Sequence, residues 1–357
     1  MPSHPVRPVV VVLLLALVTA ACGGGSNGSS ESNDAPSTTV AASGPDVAAG
    51  GPDSVPLTVT EVAIGLDTVW ALAWDSKDRL WYTQRGGLLG QFDGPNIAID
   101  GVVEQGESGL MGLEIDADDN IYLMYTTKND NRIVKRRPDG SGEQVLVSGI
   151  RRAPIHDGGR LRFGPDGTLY ASTGDAGVPS LSQDTKQING KILAIDPASG
   201  ASRQFARGLR NTQGLCFAAD GRFLSTEHGP SEGDEVNVLT DGFNGQWPDE
   251  TGNGIKNWTP TIAPAGCASY DADLIPQWKG SLLFVTLKER DLRRLTFDDD
   301  GKVTGEEVLY DGQFGRLRDV RVGPDGAVYL ATSNRDGRGS PSEVDDRILR
   351  IAPRGQS

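Results

Sequence analysis

The sequence predicts an all-β fold, a six-bladed β-propeller of four-stranded antiparallel blades, on three observations. A turn followed by a run of β-formers recurs six times: Asp78-Arg79-Leu80-Trp81, Asp119-Asn120-Ile121-Tyr122, Asp166-Gly167-Thr168-Leu169-Tyr170, Asp220-Gly221-Arg222-Phe223-Leu224, Lys279-Gly280-Ser281-Leu282-Leu283-Phe284 and Asp325-Gly326-Ala327-Val328-Tyr329. Successive turns lie 41, 47, 54, 59 and 46 residues apart, a mean near 49. That spacing suits four strands of about five or six residues with their turns. Finally, no long apolar stretch of helical period argues for a major helix. Glycine, at 47 of 357 residues, is nearly double its average share of about 7%.

The segments ahead of the repeat divide in chain order. Arg7 precedes an apolar run over 9–18, too short to span a bilayer and suited to a signal-peptide core. Thr19-Ala20-Ala21-Cys22 resembles the lipobox of bacterial lipoproteins. Residues 1–21 are therefore expected to be a lipoprotein signal peptide, with Cys22 lipidated. The alternative is an ordinary secretory signal and an unmodified cysteine. Residues 22–55, rich in Gly, Ser, Ala and Pro, form a flexible linker, and 56–357 the propeller. The chain is then exported and lipid-anchored to the outer face of the cell membrane, in the cell envelope. Its formal charge of −14 excludes a nucleic-acid binder that relies on overall positive charge. Cys216 and Cys267 stand on neighbouring repeats, and spacing leaves open whether they pair.

Several segments gather chemistry near the blade ends. His156-Asp157-Gly158-Gly159-Arg160-Leu161 precedes the third turn, and Thr173-Gly174-Asp175 lies nineteen residues after the histidine. A strand out and a strand back can return Asp175 to His156, where a carboxylate orients an imidazole for general-base work. On residue type alone, a structural histidine remains open. Arg210-Asn211 precedes the fourth turn, and Glu227-His228-Gly229-Pro230 follows it. Such a turn can aim backbone carbonyls at a hard cation, with Asp234 and Glu235 close by. Strand alternation puts Arg316 and Arg318 on one face, and Lys288 ends the apolar run of the fifth repeat. Asp298-Asp299-Asp300-Gly301 lacks the glutamate of a calcium loop and reads as a hairpin turn.

Taken in order, these segments resemble the soluble, PQQ-dependent aldose sugar dehydrogenases (the glucose/sorbosone dehydrogenase family) over about 60–352. The resemblance is carried by Gly106-Glu107-Ser108-Gly109-Leu110-Met111-Gly112, the His156 segment, Asn189-Gly190-Lys191-Ile192, Gly208-Leu209-Arg210-Asn211, Thr226-Glu227-His228-Gly229-Pro230, Pro260-Thr261-Ile262-Ala263-Pro264 and Arg316-Leu317-Arg318-Asp319-Val320. It implies His156 as general base, Asp175 as its orienting carboxylate and Arg210 beside the quinone. Glu107, Asn211, Thr261, Lys288, Arg316 and Arg318 are implied around PQQ. Gly229 and Pro230 would hold a catalytic Ca2+ through their carbonyls, and Glu235 a second, structural Ca2+. Asn244-Gly245-Gln246-Trp247-Pro248 stands where the family has Asn-Tyr-Gly-Trp-Pro. The implied activity is oxidation of an aldose at C1 to a lactone by a monomer or dimer, with electrons leaving to an external acceptor. A Ca2+-dependent lactonase-like hydrolase and a non-catalytic ligand-binding propeller are the rival expectations.

Overall fold

A computed structural model of the chain describes residues 56–355 and a two-residue strand at Val47–Ala48. The expected signal peptide, Cys22 and most of the linker lie outside the described residues.

The repeating turns set the architecture. Asp78 and Asp119 take the left-handed conformation at φ 60° and 61°, and Gly167, Gly221 and Gly326 do the same at 76–87°. Each lets an inner strand fold tightly back on the next. Six antiparallel blades result. Their inner strands are Val69–Trp74, Leu110–Ile115, Gly158–Phe163, Thr212–Phe217, Pro264–Tyr270 and Leu317–Val322. The six-bladed expectation holds, with two additions of two residues each. Phe243–Asn244 runs parallel to the outer strand of blade 3, and Val47–Ala48 extends blade 6. Blade 6 closes the ring, its outermost full strand being Pro56–Ala63, which pairs antiparallel with Ile348–Pro353. The start and end of the propeller are thus held in one sheet.

Apolar side chains pack between neighbouring blades. One cluster spans blades 1–3 through Trp70, Trp81, Met111, Tyr122 and Leu161, and another joins blades 5 and 6 to Leu57 and Val59 of the closing strand. Cys216 and Cys267 form a disulfide between the inner strands of blades 4 and 5, with Cα atoms 5.9 Å apart. This settles the pairing that spacing left open.

Candidate active site

The site forms where the inner strands begin. His156 sits just before the inner strand of blade 3 with φ 58°, an uncommon conformation for a non-glycine residue, and ones such as this cluster at functional sites. The Thr173-Gly174-Asp175 loop lies directly against its backbone. A Cβ on Gly174 would come within 1.8 Å of the His156 carbonyl oxygen, so only glycine fits there. Backbone bonds then fix the loop: Ala176 N–H donates to the His156 carbonyl and Asp175 N–H to that of Arg210.

Asp175 is fully buried, and its carboxylate accepts from three sides. His156 Nδ1 lies 2.7 Å from Oδ1, Gly177 N–H donates to the same oxygen at 2.8 Å, and Trp247 Nε1–H donates to Oδ2 at 3.0 Å. The Gly177 and Trp247 groups can only donate, so the carboxylate is placed as an acceptor for Nδ1–H. That tautomer leaves His156 Nε2 as a lone-pair base. The imidazole is 14% exposed against 1% for the Asp175 side chain, giving a base that a substrate can reach on a fixed support.

His228 differs. Its ring is within 2.9 Å of the Pro264 carbonyl through Nε2, and burial, helped by Arg318 and Arg210, pushes its pKa down to about 3. It is held neutral as a donor, which leaves His156 as the accessible base of the pair.

Apart from Glu235, the other expected side chains join a network of polar contacts around the His156–Asp175 pair. Glu107 Oε2 accepts the His156 backbone N–H at 2.9 Å, while Oε1 pairs with Arg338 at 2.8 Å. Although burial raises the Glu107 carboxyl, that N–H and the Arg338 charge hold it below the usual range. Asn211 Oδ1 accepts from Gly158 N–H and Gln213 Nε2, and Gln213 Oε1 accepts from Arg318 at 2.9 Å. Arg210 reaches the His228 carbonyl and lies over the Trp247 ring, 5.6 Å from its centroid. Lys288 Nζ donates to the Thr261 carbonyl and hydroxyl, and Arg316 donates to the neighbouring Leu287 carbonyl. Arg316 and Arg318 share one carboxylate, Asp336, at 2.7 and 3.9 Å.

The charge balance of this network fits a polyanion. Two arginines facing one acid leave an excess of positive charge, and Arg318 Nε is buried without a hydrogen-bond partner. Burial lowers the Arg318 pKa to about 10, so it stays charged at neutral pH. A tricarboxylate is matched by this donor set. For a hard cation, the Gly229-Pro230 turn is suitably built. Gly229 N–H is held by Asp234 at 2.8 Å, whereas, among the described residues, neither carbonyl oxygen of the turn accepts a hydrogen bond. Glu235 stands apart, its oxygens accepting from Asn237 and Gly254. Among the described residues no cluster of three His, Cys, Asp or Glu gathers, so a cation here would rest on carbonyl oxygens.

Sequence reasoning missed Trp247, Gln213, Asp336 and Arg338. Trp247 appeared only as part of a departure from a motif, and nothing in linear spacing ties it to Asp175, 72 residues away. Gln213 was readable in principle, since only Thr212 separates it from Arg210-Asn211.

A family model described as Glucose / Sorbosone dehydrogenase matches residues 66–349. An aldose sugar dehydrogenase of Escherichia coli is 27% identical, with 81% of this chain and 91% of that protein covered. A quinoprotein glucose dehydrogenase of Acinetobacter calcoaceticus is 24% identical, with 75% and 83% covered. Among solved structures, the PQQ-bound form of aldose sugar dehydrogenase from Streptomyces coelicolor superposes with a TM-score of 0.75 at 31% identity, covering 83% of this chain and 98% of that one.

Proposed function

Since the chain belongs to the glucose/sorbosone dehydrogenase family, we propose that this sugar dehydrogenase oxidises the C1 hydroxyl of an aldose to the lactone, using PQQ and Ca2+. The observation that carries the reading is the His156–Asp175 pair at 2.7 Å, open on its Nε2 side and flanked by Arg210, inside a network with surplus positive charge.

PQQ would be held by Lys288, Thr261, Arg316, Arg318 and Asn211, and Ca2+ by the Gly229 and Pro230 carbonyls. When bound, they supply a hydride acceptor and a Lewis acid, with electrons passing on to an external acceptor. His156 Nε2 takes the proton of the sugar hydroxyl, general-base help worth about 10²–10⁴-fold. Asp175 holds the ring in the required tautomer and stabilises the imidazolium that forms. Trp247 and the Gly177 N–H fix Asp175 in turn. Arg210 places a permanent positive charge where negative charge develops. Glu107 holds the His156 backbone in its left-handed conformation and, with Arg338, lines the approach.

Cys22 is proposed as the lipid attachment point that keeps the enzyme at the envelope. The deciding experiment incubates purified protein with PQQ and Ca2+ and follows dye reduction by aldoses. Sugar-dependent reduction that needs both additions supports the reading. Lactone hydrolysis without PQQ, or no turnover, overturns it.

A further inference from the structure

We propose that the end of the central channel opposite the candidate active site binds a small carboxylate anion. The inner strands run away from His156, so Arg162 stands four residues beyond Gly158, about 13 Å along an extended strand. There the inner strands of blades 1, 2, 3, 5 and 6 line a cavity of about 240 Å3.

Glu114, Arg162 and Arg321 line this end, and Arg160 and Asp319 pair with one another behind the lining, Arg160 Nε donating to the Gln213 carbonyl at 2.8 Å. Arg321 Nη2 donates to Glu114 Oε1 at 2.8 Å, while its Nε lies 3.5 Å from Asp319 and makes no hydrogen bond. Arg162 approaches Glu114 only to 3.5 Å. Arg160 lies 3.0 Å from Asp319 through Nη1, and its Nη2 is buried without a hydrogen-bond partner. Three guanidiniums, permanently charged, thus face two carboxylates. Burial raises both acids, Asp319 up to about 6, so their negative charge can only fall short of full. Arg160, Arg321, Glu114 and Asp319, each less than a tenth exposed, balance in formal charge, and the surplus positive charge is that of Arg162, which lines the cavity with its side chain 27% exposed. Asp271, held by Ser269 at the rim, is exposed and screened by solvent.

A partly buried surplus charge beside a cavity attracts a counter-ion, and a bound anion supplies one. A carboxylate matches the guanidinium fork, and Leu72, Ala73, Ile115 and Val322 leave apolar wall for a short alkyl group. None of the contacts of Arg162 reaches the candidate active site.

The test is thermal unfolding at fixed ionic strength in sodium propionate against sodium chloride. Propionate should give a saturable rise of roughly 2–4 °C. The rise should vanish in Arg162→Gln, a partly exposed position whose replacement leaves dye-reduction activity unchanged. An undiminished rise in Arg162→Gln, an equal rise with chloride, or no rise at all would overturn the assignment. Should Arg162→Gln fail to fold, calorimetric titration of the wild type decides. One propionate per chain supports the site, and no binding heat refutes it.

Discussion

Replacing Asp175 by Asn tests the core of the proposed chemistry, because the structure leaves the new amide no good orientation. The carboxylate takes two N–H groups on Oδ1 and one on Oδ2. With the amide oxygen at the Oδ1 position, the new NH2 faces Trp247 Nε1–H, donor against donor. With the amide flipped, NH2 faces His156 Nδ1 and drives its proton to Nε2, abolishing the base. Either way a buried donor goes unsatisfied, which costs about 1–3 kcal/mol. At about 2–4 °C per kcal/mol in a domain of this size, Tm should drop by several degrees while the fold persists. Turnover should fall by about 10²–10⁴-fold, the range of general-base help, with PQQ binding little changed. Dye-reduction kinetics beside a melting curve and a PQQ titration read all three. A folded Asp175→Asn enzyme whose kcat stays within about threefold of wild type would refute the role given to the pair.

Four further outcomes follow from particular contacts. Arg316→Ala with Arg318→Ala removes two charge-assisted contacts worth about 1.5–3 kcal/mol each, so PQQ affinity measured by absorbance titration should weaken by orders of magnitude, partly rescued by excess PQQ. Protein stripped with a strong chelator should lose activity and melt earlier, and Ca2+ should restore both, since ligand that binds only the native state stabilises it. Removing the Cys216–Cys267 disulfide with a double alanine variant, which frees a separation of 51 residues, should cost about 2–5 kcal/mol in denaturant unfolding. Lys191 is fully buried against three carbonyls, and burial lowers its pKa to about 8 from 10.5. Between those values the unfolded chain binds more protons, so stability rises with pH. The penalty, about 3 kcal/mol, is full below pH 8. Melting curves should show wild type gaining on Lys191→Met as pH climbs from 8 to 10.

The blade count was legible because each tight turn needs a residue that tolerates positive φ, and Asp or Gly stands at those turns. His156 and Asp175 were legible for the same reason. One hairpin separates them, so the return path is set by local topology. The contacts that complete the site come from other blades, and linear spacing carries no trace of them. Trp247 reaches Asp175 from a long excursion between the third and outermost strands of blade 4, and Arg338 crosses to Glu107 over 231 residues of chain. The disulfide was undecided for a related reason, since pairing depends on which faces of adjacent inner strands meet. Lys191 shows the converse. Its segment helped to carry the family resemblance, yet the side chain plugs three backbone carbonyls and does not join the polar network.

The central claim is that this propeller takes hydride from C1 of an aldose and the proton from its C1 hydroxyl, with His156 as base. Its most direct test is a single turnover with C1-labelled glucose or another aldose that reduces the dye, using wild type and His156→Gln loaded with PQQ and Ca2+. Carbon NMR of the wild-type reaction should show the label passing to a C1 lactone carbonyl, one per PQQ reduced. His156→Gln should bind PQQ equally well and form lactone at least about 10²-fold more slowly. Label appearing at no oxidised C1, or equal rates in the two proteins, would contradict the account.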